Sequence, residues 1–173
     1  MKKYCLFLLA FFFSAPTLFA QTTPSADEVL KTAYQQSAKE NKNVFLIFRA
    51  SWCGWCRAMD SAMQDPSIAS YFNDNYIITH LDVYERAGKE NLENAGAEEF
   101  LAAHDGANKG VPFWMVLDKD GKKLADSQIK PGINSGCPLK KEEVDYFILV
   151  LEKTSKINQS QKLAVIKRFE KNG

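Results

Sequence analysis

Ala50-Ser51-Trp52-Cys53-Gly54-Trp55-Cys56-Arg57 places two thiols three positions apart, with a tryptophan before the pair and another inside it. Upstream, Val44 to Phe48 is an unbroken apolar run between polar residues, the pattern of a strand buried on both faces. Downstream, Gly54 to Met63 has helical spacing, so the pair sits where a buried strand gives way to a helix. Two cysteines so spaced admit four uses: haem attachment, zinc binding, a structural staple or electron transfer. Haem attachment needs a histidine directly after the second cysteine, and residue 57 is Arg. Zinc needs about four ligands. The other donors, Cys137, His80 and His104, are scattered over separate elements, so no metal is expected. A staple would close a very small loop, where the chain-entropy gain is least. Zinc and staple are the weaker alternatives, and redox use fits best. At a helix start the unpaired N–H groups and the dipole favour negative charge, which lowers the thiol pKa and makes Cys53 the nucleophile. Cys56, one turn further on, is placed to resolve a mixed disulfide formed at Cys53.

The whole chain has 173 residues, enough for one domain with a real hydrophobic core. Its first twenty residues carry basic Lys2 and Lys3, an apolar run from Tyr4 to Phe13, then Pro16 and Ala20. That is the layout of a secretory signal peptide cleaved before Gln21, although Leu18 is larger than the small residue usual near such a cut. The run is shorter than the ~20 apolar residues of an ordinary membrane span, which disfavours an uncleaved anchor. Cys5, inside it, lacks a lipidation setting at the cleavage point. The expected organisation is a signal peptide over 1–20 and a single domain over 21–173, exported to the periplasm. Cleavage removes two lysines and no acids, leaving 20 basic against 21 acidic residues. Charge so balanced points to no nucleic-acid or membrane-surface function. Four cysteines become three, too few for a disulfide-stapled miniprotein.

Gln21 to Pro24 reads as a tether, and Ser25-Ala26-Asp27-Glu28 as a capping box opening a helix that ends near Asn41-Lys42-Asn43. After the cysteine helix, interrupted at Asp65-Pro66, the triplet Asn73-Asp74-Asn75 predicts a turn into a second strand, Tyr76 to Val83. Glu90 to His104 predicts an alanine-rich helix, and Phe113 to Leu117 a third strand. Asp118-Lys119-Asp120-Gly121 signals a hairpin into a fourth strand over Lys122 to Asp126. A loop with Cys137 leads to helices near Lys140 to Thr154 and Gln159 to Glu170. The order describes one layered α/β domain with a mixed sheet.

The strand entering Trp52-Cys53-Gly54-Trp55-Cys56, the Val111-Pro112 pair, and VLDKDGKKL after it resemble the thioredoxin superfamily over about Val44 to Thr154. More narrowly, the chain is similar to exported bacterial thioredoxin-like proteins, thiol:disulfide interchange proteins with a long helical connection before the proline. The resemblance implies the thioredoxin fold, with a mixed sheet of four or five strands, flanking helices and an extra C-terminal helix. It implies a Cys53–Cys56 redox disulfide with no further cofactor, and a cis Val111–Pro112 bond facing it whose backbone pairs with an extended substrate. Trp52 would lie beside the active cysteine at the substrate face, and Gly54 and Trp55 would tune the potential and contact substrate. Phe113 and Trp114 are expected in the core or groove wall, and Cys137 as a partly shielded loop cysteine without a role.

The implied function is cell-envelope thiol–disulfide exchange with protein thiols and disulfides, leaning towards reductase or isomerase. No dinucleotide fingerprint is present, so a membrane redox partner would supply or remove electrons. The alternative is a non-catalytic peptide-binding or chaperone-like module with a groove around Trp52, Pro112 and Trp114. Cys56 counts against it, since such relatives often lose the second cysteine. In one respect the chain departs from the family: many thioredoxins carry a buried acid where Ile47 stands, to accept the resolving thiol's proton. Glu85, Asp82 and His80 are the candidate replacements.

Overall fold

The computed structural model describes residues 23–171. The expected signal peptide and Cys5 lie outside the described residues. Among the described residues no helix is long and apolar enough to cross a membrane.

Helix α1 (Ala26–Glu40) opens on the expected capping box: Glu28 N–H donates to Ser25 Oγ, and the Glu28 carboxylate accepts from Ser25 N–H. It ends at Asn41, which adopts the left-handed conformation that asparagine tolerates. Strand β1 (Asn43–Arg49) runs parallel to β2 (Tyr76–Asp82) and antiparallel to β3 (Phe113–Leu117), which pairs in turn with β4 (Lys123–Asp126). The sheet order is therefore β2-β1-β3-β4, with β1 and β3 central and every residue of β3 buried.

Helices cover both faces, which is why β1 is apolar without alternation. Phe45 and Ile47 point to one face, against α2 (Gly54–Met63), α3 (Ala69–Asn75), α5 (Lys141–Thr154) and α6 (Gln159–Glu170). Val44, Leu46 and Phe48 point to the other, against α1 and α4 (Ala97–Ala103). An aromatic cluster holds the first face together. Phe45 stacks on Trp114 at 5.5 Å, and Phe147 of α5 meets Trp114 edge-on at 5.2 Å. Phe113 and Trp114 are fully buried, as expected.

The structure corrects three readings. The helix expected over Glu90–His104 is a short 3₁₀ turn, Glu90–Leu92, and then α4. Asn94 is drawn away to β2, accepting from Asp82 N–H at 2.6 Å and donating to Pro24 O at 2.7 Å, and Gly96 takes a positive φ of 84°. A side chain that binds distant backbone, next to a left-handed glycine, outweighs local alanine propensity. Asn73-Asp74-Asn75 is no turn: α3 runs through Asn75, whose Nδ2 donates back to Tyr71 O, and β2 begins at the next residue. The main sheet has four strands, as the four-or-five expectation allows. β5 (Gln128–Lys130) and β6 (Ile133–Asn134) instead form a separate two-stranded hairpin between β4 and α5. In the loop after it, Cys137 is buried at 6% exposure, deeper than the partial shielding expected.

Candidate active site

Cys53 lies just past the carboxyl end of β1 and is the N-cap of α2. Its sulfur takes the place of a capping hydroxyl, accepting Cys56 N–H at 3.0 Å. The two cysteines are joined in a disulfide, with Cα atoms 5.3 Å apart. Both residues are buried, at 3% and 2% exposure. The first turn of α2 holds no acid to oppose a thiolate. Arg57 folds back to donate to Ser51 O at 3.0 Å, which adds positive charge beside the helix start.

The antiparallel register Phe48↔Phe113 sets the start of β3 opposite the end of β1. One step outward, Val111 O lies 3.5 Å from Cys53 Sγ, and the Val111–Pro112 peptide bond is cis. Ala50, Cys53, Cys56 and Val111 pack as a small apolar cluster around the disulfide. Trp52 and Trp55 stand out from it, 41% and 51% exposed. Trp52 is held in place: its Nε1 donates to Tyr84 O at 2.7 Å, and the Arg86 guanidinium sits 5.7 Å from the ring centroid. Trp55 lines a groove of about 200 Å³ with Val111, Pro112, Gly136 and Cys137. Gly54 is exposed in the first turn, and a Cβ there would meet only Arg57 at 3.9 Å, so space does not demand a glycine. The structure thus brings Trp52, Cys53, Gly54, Trp55, Cys56, Val111 and Pro112 to one end of the sheet.

On the other side of Cys56 a recess of about 370 Å³ is lined by Arg49, Ser51, Asp60, Asp82 and Glu85. Of the three proton-acceptor candidates named above, each has a partner. Asp82 takes Arg49 Nε at 2.9 Å. His80 lies 2.8 Å from Asp60 through Nε2. Glu85 accepts from Ser51 N–H and Ser51 Oγ, at 2.5 and 2.7 Å. The residue missed was Asp60, four positions after Cys56 and so on the same helical face, a spacing that would have revealed it. His104 caps the end of α4, with Nδ1 2.8 Å from Phe100 O and its ring stacked on Phe100. Among the described residues no group of three or more His, Cys, Asp or Glu is placed to hold a metal.

Partial desolvation raises the Glu85 carboxyl, but hydrogen bonds from Ser51, attraction to Lys89 and the Arg86 N–H outweigh it and hold the group below its ordinary value. A folded pKa below the unfolded one gives stability that is complete above the unfolded value and lost as pH falls through the folded value. Glu85→Gln should therefore flatten the decline of stability below about pH 5, relative to the parent protein. Urea unfolding across that range measures it, and superimposable profiles would remove Glu85 as a contributor.

Residues 26–119, more than half of the chain, match the family described as Thioredoxin-like. An 89-residue stretch is 30% identical to the uncharacterized protein B0495.5 of Caenorhabditis elegans; it covers 51% of this chain and only 12% of that relative's length. Among solved structures, the disulphide isomerase from Xylella fastidiosa Temecula1 is similar at 18% identity, over 91% of this chain and 98% of its own, with a TM-score of 0.52. That likeness is one of fold.

Proposed function

The chain belongs to the Thioredoxin-like family and carries a paired-cysteine redox centre, and from that premise we propose that it exchanges disulfides with protein substrates in the cell envelope. The observation that carries this reading is the placement of Cys53: its sulfur caps α2, accepts Cys56 N–H and lies 3.5 Å from the backbone of Val111. The helix start and the Cys56 N–H stabilise a thiolate, and the Val111 backbone lies beside it.

In the reducing direction, the Cys53 thiolate attacks one sulfur of a substrate disulfide. That bond breaks, a Cys53–substrate disulfide forms, and the first substrate thiolate leaves and takes up a proton. Cys56 then loses its proton and attacks Cys53 Sγ, releasing the second substrate thiol and closing the enzyme disulfide. Two electrons have passed to the substrate, so a reduced partner must restore the dithiol; a membrane protein fits an exported chain. The leaning towards reductase or isomerase rests on Gly54 after the nucleophile and on the thioredoxin-like body. Export rests on the signal-like segment over 1–20.

The proton of Cys56 has a destination despite Ile47, which is fully buried on the same face. Asp60 opens on the same recess as Cys56, backed by His80 at 2.8 Å and by Arg49 at 3.5 Å, with Asp82 and Glu85 beyond. Asp60→Asn is expected to slow resolution of the mixed disulfide on the order of 10²-fold at neutral pH. A single-turnover resolution rate unchanged from the parent would exclude Asp60 as acceptor.

The function itself is tested by insulin reduction with a dithiol donor, paired with the reduction potential of Cys53/Cys56 in glutathione buffers. A potential near −270 mV, that of thioredoxin, supports a reductase, and one near −180 to −120 mV an isomerase or oxidase. Absence of cysteine-dependent turnover with every donor leaves only peptide binding at the groove of Trp52, Trp55 and Pro112.

A further inference from the structure

The hairpin of β5 and β6 pairs with no strand of the main sheet, yet it reaches the active site through one side chain. Asn134, at the end of β6, points its Nδ2 at the segment that carries Val111. That nitrogen lies 3.1 Å from Lys109 O, 3.4 Å from Gly110 O and 3.1 Å from Pro112 O. Its Oδ1 accepts Gly136 N–H at 3.0 Å, so the amide is engaged at both ends and its orientation is set. Gly136 has a positive φ of 59° and lies against Pro112. Three carbonyls of the 109–112 segment thus converge on one amide nitrogen from outside their own element. Val111, between them, is left with its carbonyl towards Cys53 Sγ.

We propose that Asn134 is a positioning residue for substrate docking: it holds the 109–112 backbone in the shape that Val111 presents to a polypeptide bound at Cys53. This rests on the thiol–disulfide exchange proposed above. A single side-chain amide thus ties the hairpin to the segment that leads into β3. Without it those carbonyls turn to water and the segment gains conformers that cannot pair with substrate. The chemistry at sulfur does not pass through Asn134, whose side-chain hydrogen bonds go to residues 109, 110, 112 and 136.

The test separates docking from chemistry. Asn134→Ala is expected to raise the KM for insulin by about fivefold or more, the scale of one lost hydrogen bond, with kcat little changed. Reaction of the reduced protein with a small aromatic disulfide, and the glutathione redox equilibrium, should stay within about twofold of the parent, since neither needs an extended backbone partner. Asn134→Asp, which replaces the donor by an anion facing three carbonyls, should raise KM further. Gln128→Ala serves as control: its side chain accepts Gly132 N–H within the same hairpin and donates to Asp126, with no hydrogen bond to the carbonyls of residues 109–112. An unchanged KM in Asn134→Ala overturns the proposal, as does an equal rise in Gln128→Ala, which would assign the effect to the hairpin as a whole. Loss of reactivity with the small disulfide also overturns it. A parent protein that turns over no disulfide at all refutes the exchange reading, a result distinct from any of these.

Discussion

Cys53→Ser is expected to lower insulin reduction on the order of 10³-fold or more, because no other group stands at the helix start to form the mixed disulfide. Serine can keep the cap, since its hydroxyl can accept the Cys56 N–H as the sulfur does at 3.0 Å. The fold is thereby retained while the nucleophile is removed. Cys56→Ala gives the complementary result. Cys53 still attacks, but nothing closes the second step, so substrates accumulate as mixed disulfides that survive non-reducing electrophoresis. Identification of those adducts names the substrates directly. Turnover retained in Cys53→Ser, or adducts that form equally in a Cys53→Ser/Cys56→Ala double variant, would place the chemistry elsewhere.

Trp114→Ala is expected to destabilise the protein by about 3–5 kcal/mol, the range for loss of a large buried aromatic. The ring has no solvent exposure and lies between Phe45 and Phe147. Its Nε1 donates to Gly136 O at 2.9 Å, so the same substitution frees the loop that follows Asn134. Trp114→Phe separates these roles. It restores much of the packing and leaves the Gly136 carbonyl without its donor, a loss of about 1–3 kcal/mol if that carbonyl stays buried. Denaturant midpoints at constant slope give both values. An alanine variant as stable as the parent would mean that the aromatic cluster does not hold the sheet to α5.

The cysteine pair was legible because its signals are local: a doubly buried strand, a helix start and the spacing between thiols. The capping box at Ser25 and the core positions of Phe113 and Trp114 were legible for the same reason. Errors fell where a distant partner overrides neighbours. Alanine-rich composition predicts a helix at Glu90, but Asn94 is committed to Asp82 and Pro24 and the helix cannot form through it. Asp60 was overlooked although its spacing from Cys56 marks it. Only the fold shows that His80 of β2 and Arg49 of β1 converge there. Asn134 was not legible at all: nothing in Ile133-Asn134-Ser135 announces three carbonyls more than twenty residues upstream.

Because the β5–β6 hairpin shares no ladder with the main sheet, the exchange proposed here would have two dials that turn separately. On the proposed reading, one would be electrochemical, set by the residues around Cys53 and Cys56. The other would be recognition, set through Asn134 by a small tab outside the ladders of the main sheet. A lineage could then acquire new clients by altering the tab while the potential of the cysteine pair stays the same.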